Sequence, residues 1–339
     1  MLNTASLSTR TGLGATALLL LSSLVTGSWM GHQAPDMGEA IGQYTDPVLL
    51  SLIILLFSSV RFDALSNLKH KLSFLSISLI ANFVIVPLIG YGIASLILPD
   101  HPLIMVGLII YFMSPCTDWF LGFTRICQGD TLLGSALLPI NMVVQLLLYP
   151  IYLSMFTQNN VNLESDVIVT TFTQWFLTPL LVAMAVHLLI RTTLPQSKRI
   201  QLFDWINRLI PIVISIVIFQ IFASNFGIII ENVNVFIRLL AGVFCFFVLT
   251  FALSEILSRF FKLPYQEHVL LTMTIAARNA PLMLAVTMVA LPSQPLIYAA
   301  IVIGMLLEFP HLTLISHLLL RSKATHQHKY RLHDSEQAN

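Results

Sequence analysis

Apolar runs of bilayer length recur along almost the whole of this chain, separated by short polar loops, and that recurrence leaves little choice of fold. A helix needs about 20 mostly apolar residues to cross a bilayer, and its backbone must bond to itself where no water can reach. The runs fall near 13–30, 46–60, 73–98, 103–124, 131–156, 167–190, 208–230, 236–258, 268–291 and 296–320. They predict an all-α integral membrane protein with ten transmembrane spans, of which the second is the shortest. Composition agrees: 56% of the 339 residues are hydrophobic and only 10% are charged. Soluble domains carry roughly 25% charged residues, so a soluble chain of this make-up could not keep its surface solvated.

The basic residues give the orientation, because Lys and Arg favour cytoplasmic loops. Arg10, Arg61, Lys69, Lys71, Arg125, Arg191, Lys198, Arg199, Arg208, Arg259, Lys262, Arg321, Lys323, Lys329 and Arg331 all fall on one side. The opposite loops hold Asp36, Glu39, Asp46, Asp100, Glu164, Asp166 and Glu231. Both termini are therefore expected in the cytoplasm of a cell whose plasma (inner) membrane holds the chain. The first run has Arg10 as a charged flank and small residues at Thr26–Ser28, as a signal peptide would. Retaining it as a helix keeps the orientation consistent.

Ten spans divide into five plus five, residues 1–160 and 161–320, and an odd number in each half makes the halves inverted. A polar tail, 321–339, is expected to be disordered; His326 and His328 within it read as solvated groups. Spans four and nine are each interrupted. The fourth reads LIIYFMSPCTDWFLGF around Pro115 and the ninth TMTIAARNAPLMLAVTM around Pro281. Proline removes a backbone donor and clashes with the preceding turn. Freed backbone groups at bilayer depth are tolerable only against protein or a watery cavity, and paired breaks of this kind point to a transport site. Ser114 and Asn279 read as caps of new half-helices whose positive ends face the middle of the membrane.

Ionisable groups at that depth each need a reason. Asp118 lies three residues past Pro115, and Arg278 three before Pro281. Where the two broken spans cross, these side chains either form a buried ion pair or face the cavity separately, with Arg278 on an anionic solute. Glu308, beside Pro310, is a candidate proton or sodium ligand. Asn141 and Gln145 are four apart and share one helical face; they either line the cavity, with a possible part in ion coupling, or hydrogen-bond between helices. The path is thus expected to run past Ser114, Pro115, Cys116, Thr117, Asp118, Arg278, Asn279 and Pro281.

Other chemistries find little support. Cys116, Cys127 and Cys245 make no CxxC pair and no His/Cys cluster of zinc spacing, so neither a disulfide framework nor a metal centre is expected. There is no HExxH, GxSxG or GxxxxGK[ST] motif, which disfavours an enzyme and an ATP-driven pump. No cofactor is implied. Net charge is +1, and no basic stripe with interleaved aromatics suggests nucleic acid.

The run LPDHPLIMVGLIIYFMSPCTDWFLGFTRICQGD resembles the fourth-span region of arsenical-resistance permeases, which belong to the bile acid/arsenite transporter superfamily. The VRF after the second span, TIAA with Asn279, and Glu308 with Pro310 extend the resemblance over most of the chain. It implies two inverted five-helix repeats with crossing fourth and ninth helices, and it places the cysteine tied to arsenite transport on Cys116. Trivalent arsenic is thiophilic, and one thiol ligates it reversibly where three would trap it. The departures are specific. That family carries an acidic residue a few positions after the Asn, where Leu282 stands here, and it has small or apolar residues where this chain has Asp118 and Arg278. The resemblance implies a gradient-driven exporter of arsenite or a related small oxyanion. The alternative within the superfamily is a sodium-coupled symporter of an organic anion held by Arg278. Expected partners are that solute, a coupling proton or sodium ion, and the lipid bilayer.

Overall fold

The computed structural model describes residues 2–59, 71–117, 119–157 and 178–337, and their regular elements are helices. In chain order these are α1 (Leu2–Gln33), α2 (Pro35–Gly42), α3 (Thr45–Ser58), α4 (Leu72–Ile80), α5 (Val86–Ile97), α6 (Pro102–Met113), α7 (Trp119–Ile126) and α8 (Thr131–Thr157). There follow α9 (Thr178–Thr193), α10 (Gln196–Ser224), α11 (Phe226–Glu231), α12 (Val233–Phe260), α13 (Tyr265–Ala276), α14 (Ala280–Ala290) and α15 (Pro295–Gln337).

Six helices among the described residues are long and apolar enough to cross a membrane: Gly14–Gln33, Leu72–Ile97, Thr131–Tyr152, Gln196–Ser224, Val233–Phe260 and Pro295–Lys323. A seventh arises if α2 and α3, bent by 49° at their junction, count as one span. The expectation of ten spans in two inverted five-helix repeats is therefore corrected to about six, or up to seven, with no five-plus-five repeat found. The physical reason lies in the breaks. A hydropathy run measures apolar sequence, whereas a span needs an unbroken helix of about 20 residues. The run 103–124 is split into α6 and α7, and 268–291 into α13 and α14, each piece 12 residues or fewer. The first part of the run 167–190, through residue 177, lies outside the described residues. The tail is corrected as well. Arg321–Gln337 holds no Pro or Gly to stop a helix, and α15 continues through Gln337.

Leu72–Ile97 crosses as one span only because a π-helical turn, Ala81–Ile85, joins α4 to α5. Pro87 has no N–H to give Phe83 four residues earlier. The Tyr152 hydroxyl, reaching over from α8, donates to that Phe83 carbonyl instead. The same turn carries Asn82, wholly buried among apolar neighbours in the turn.

The helices pack in two groups. In one, α1 lies along α10, which also takes α2 and α3, while α3 holds α9. In the other, α5 and α6, α8 and α12–α15 surround the two broken segments. The groups meet where α1 touches α7, α3 touches α14, and α10 and α11 touch α15. Lipid supplies no hydrophobic drive between helices, so close approach depends on small residues. Gly27 and Gly31 supply it on α1: a Cβ there would lie 2.6 Å from Phe219 O and 2.5 Å from Ala223 O of α10. At one edge of the second group Lys71 Nζ donates to Glu267 Oε1 at 2.5 Å, tying the start of α4 to α13. That bond and the carboxylate charge raise the Lys71 pKa. The lysine side of the pair is therefore charged at neutral pH, and its contribution is lost as pH rises through the raised value.

Overpacking against an immovable backbone typically costs 1–3 kcal/mol. Gly31→Val should destabilise the purified chain in detergent by about 1–3 kcal/mol, read as a lower melting temperature. Gly14→Ala, where a Cβ would meet nothing within 4 Å, should leave it unchanged. Equal melting of both variants would sink the α1–α10 contact as a determinant of stability.

Candidate functional site

The site begins with two prolines that withhold hydrogen bonds. In a helix, Pro115 would receive nothing to give Tyr111 O, and Pro281 nothing to give Ala277 O, because neither ring nitrogen carries a proton. The backbone resolves this by exchange between the two segments. Cys116 N–H donates to Ala277 O at 3.0 Å and Asn279 N–H donates to Ser114 O at 2.9 Å. Together they form a short antiparallel bridge, Pro115 against Arg278, in the middle of an otherwise helical protein. The residue before a proline is pushed out of the helical region. Ser114 accordingly sits at φ −112°, ψ 108° and ends α6, so it does not cap the helix that follows. Asn279 does cap α14: its Oδ1 accepts Leu282 N–H at 3.4 Å.

This exchange diverts three amides from their helical acceptors, and Arg278 takes up what they leave. Cys116 N–H would have served Phe112 O, Arg278 N–H would have served Thr274 O, and Asn279 N–H would have served Ile275 O. The Arg278 guanidinium donates to all three carbonyls: Nη1 to Phe112 O at 2.9 Å, and Nη2 to Thr274 O at 3.0 Å and to Ile275 O. Nη2 also reaches Asn82 Oδ1 at 3.4 Å. Arg278 is 0% exposed, and its charge lies at the negative ends of α6 and α13, where a cation is favoured. Its carbon Cζ is 5.5 Å from the centre of the Phe246 ring, which stacks on Phe112 at 4.0 Å. The fork geometry of arginine, five N–H groups in a plane, is what lets one side chain close two helix ends. Its Nε–H has no partner among the described residues.

The remaining expected residues fall around this clamp. Glu308 of α15 is 1% exposed; its Oε1 accepts the diverted Arg278 N–H at 3.1 Å, and the Tyr111 hydroxyl donates to its Oε2 at 3.5 Å. Gly304, one turn earlier, makes room for the Tyr111 ring, since a Cβ there would lie 2.8 Å from it. Cys116 lies in the link between α6 and α7 and is buried. Thr117 Oγ1 accepts from Asn279 Nδ2 at 3.1 Å, a second tie between the breaks. Asn141 Nδ2 donates to Thr274 Oγ1 at 3.3 Å, and Asn82 Nδ2 donates to the same hydroxyl at 3.2 Å. Gln145 is buried on the same face of α8. Asp118 lies outside the described residues, and with it the expected Asp118–Arg278 pair. Described partners of the guanidinium are neutral oxygens.

Sequence reasoning passed over Asn82, Thr274, Tyr111 and the Phe112 carbonyl. Asn82 left a usable signal, being the one amide in the apolar run 73–98 and five residues before a proline. Thr274 and the carbonyl left none, because a Thr in a membrane helix commonly bonds its own preceding turn. Cys127 is separate from the site: its thiol donates to Ser316 O at 3.7 Å.

Removing the guanidinium strands three buried carbonyls, each worth roughly 1–3 kcal/mol when left unpaired. Arg278→Met should therefore destabilise the chain by about 3 kcal/mol or more, read as thermal unfolding in detergent. Arg278→Lys, with donors but no planar fork, should fall between. A methionine variant that melts like the wild type would show that the breaks hold themselves open without the clamp.

Comparison with known proteins places this geometry. The arsenical-resistance protein Acr3 of Corynebacterium glutamicum is 25% identical over 140 residues, which cover 39% of this chain and 38% of that protein. The match thus spans well under half the length of that relative. A family model described as the Sodium Bile acid symporter family matches residues 47–239, more than half of the chain, from α3 through the start of α12 and across the first break. Such families are transporters rather than enzymes, and the apolar helices make this one a multi-pass membrane protein. The chain belongs to the sodium bile acid symporter family.

Proposed function

We propose that this chain is a secondary-active carrier of a small organic anion, driven by a sodium gradient, with both termini in the cytoplasm. The observation that carries the reading is Arg278, a buried cation where two broken helices meet, with its Nε–H unbonded among the described residues. A fixed positive charge at bilayer depth favours an anionic solute. The starts of α7 and α14 add the positive ends of two helices beside the same break. The family description, which names sodium and bile acid, supports the same class. On this reading Ser114, Pro115, Cys116, Thr117, Asp118, Arg278, Asn279 and Pro281 border the path. Glu308 serves the coupling cation: its carboxylate already bonds the Arg278 backbone, so a cation or proton arriving there is felt at the break.

Purified chain in proteoliposomes should accumulate taurocholate when an inward sodium gradient is imposed and not with potassium in its place. Glu308→Gln should reduce accumulation to the sodium-free level while leaving taurocholate counterflow intact. Sodium-independent uptake by the wild type would overturn the coupling, and no uptake under either gradient would overturn the anion.

A second reading, export of arsenite, is favoured by the similarity to the Corynebacterium glutamicum arsenical-resistance protein and by the position of Cys116 in the first break. It expects resistance in an arsenite-sensitive host expressing the chain, lost on Cys116→Ser. Resistance that survives the loss of the thiol would remove the cysteine from the mechanism.

A further inference from the structure

Two side-chain hydrogen bonds tie α8 to the pieces of the second broken segment, α13 and α14. Asn141 meets Thr274 of α13, and two turns later Tyr149 hydrogen-bonds Thr287 of α14 at 3.2 Å. Gln145 is four residues from each of these α8 side chains and so shares their helical face, between the bonds to the two pieces of the segment broken at 277–279. A ladder with both outer rungs bonded leaves the middle rung open. Asn141 is 0% exposed and Gln145 2%, yet Asn141 Oδ1, Gln145 Oε1 and Gln145 Nε2 have no hydrogen-bond partner among the described residues. Buried amides are ordinarily satisfied, and three open atoms on two side chains one turn apart, one of them bonded to Thr274 beside the break, are a departure that asks for a ligand.

The polarity of the open atoms selects its chemistry. A bare metal cation would suit the two amide oxygens but would face the Gln145 N–H2, a donor. A carboxylate or other oxyanion would suit that donor but would be repelled by both oxygens. Either orientation of the Gln145 amide offers one donor and one acceptor, so the argument does not depend on which atom is which. Hydroxyl groups satisfy the set: each donates its proton to an amide oxygen, and a hydroxyl oxygen accepts from Nε2.

We propose that Asn141 and Gln145 form a subsite for hydroxyl groups of the transported solute. The proposal rests on the carrier reading and adds to it a chemical class. The solute carries neighbouring hydroxyls, held by α8, while its charged or electrophilic end lies toward the crossing of the two breaks. Two sources share this chemistry, a hydroxylated organic anion and arsenous acid, whose three oxygens are all hydroxyls at neutral pH. Sites that bond a substrate hydroxyl discriminate strongly against analogues lacking it, because the buried amide is then left unpaired.

The test is equilibrium binding to the detergent-solubilised full chain with three probes: taurocholate, the taurine conjugate of the hydroxyl-free parent acid, and arsenous acid. The wild type should prefer taurocholate over its hydroxyl-free counterpart by about ten-fold or more, a comparison that needs no variant. Gln145→Met and Asn141→Leu should each bring that ratio close to one while leaving the hydroxyl-free probe's Kd nearly unchanged, with ligand-free melting confirming that each variant is folded. If arsenous acid binds and taurocholate does not, loss of arsenous acid binding in both variants supports the subsite and names its source. A preference that persists in both variants overturns the proposal, as does an equal loss of both bile-acid probes. Binding by the wild type without hydroxyl preference overturns the subsite alone. No binding of any probe overturns the subsite together with the carrier reading.

Discussion

The Arg278 guanidinium closes the two helix ends that meet at the centre of this protein, and much of the surrounding structure follows from that closure. Opening a helix inside a bilayer exposes carbonyls that no solvent can satisfy. Here the exchanged amides of Cys116 and Asn279, together with the diverted Arg278 amide, leave Phe112, Thr274 and Ile275 without their helical donors. One planar side chain supplies all three. The cost of burying a cation is offset because its neighbours are oxygens at the negative ends of α6 and α13. A neutral residue in place of the arginine would leave those three carbonyls without donors.

The elements around the clamp serve its geometry. The π-helical turn in Leu72–Ile97 brings Asn82 to the guanidinium and to the Thr274 hydroxyl. Gly304 lets Tyr111 lie close enough to α15 for its hydroxyl to meet Glu308. Glu308 in turn holds the Arg278 amide. The same few residues therefore connect α5's span, α6, α8, α13 and α15, and a change in charge at Glu308 has a short physical route to the break. The α1–α10 group stands apart from this network, joined to it by a few helix contacts and held within itself by glycine-mediated approach.

Several features were legible before any fold was known. The shortage of charge required a bilayer, Pro115 and Pro281 marked where helices fail, and Arg278 and Glu308 stood out as groups that hydrocarbon would exclude. Ten apolar runs, however, did not become ten continuous spans, since two of them hold breaks that hydropathy averages over. Ser114 looked like the start of a helix and is the end of one, because a following proline holds it extended. The described bonds of the Arg278 guanidinium go to carbonyl and amide oxygens, and Asp118, one of the partners expected for it, lies outside the described residues.

What the sequence by itself determined is where bonds are lost. A proline names the carbonyl four residues before it as missing a donor, and that holds for Phe83 before Pro87 as for Ala277 before Pro281. Only the tertiary structure decided where the replacement comes from: a tyrosine of α8 for Phe83, and the Cys116 amide for Ala277. A hydrogen bond is local in its loss and non-local in its repair, since the new donor must only be near in space. For the same reason Asn82 and Thr274 acquired their roles only when packing brought them together at Arg278.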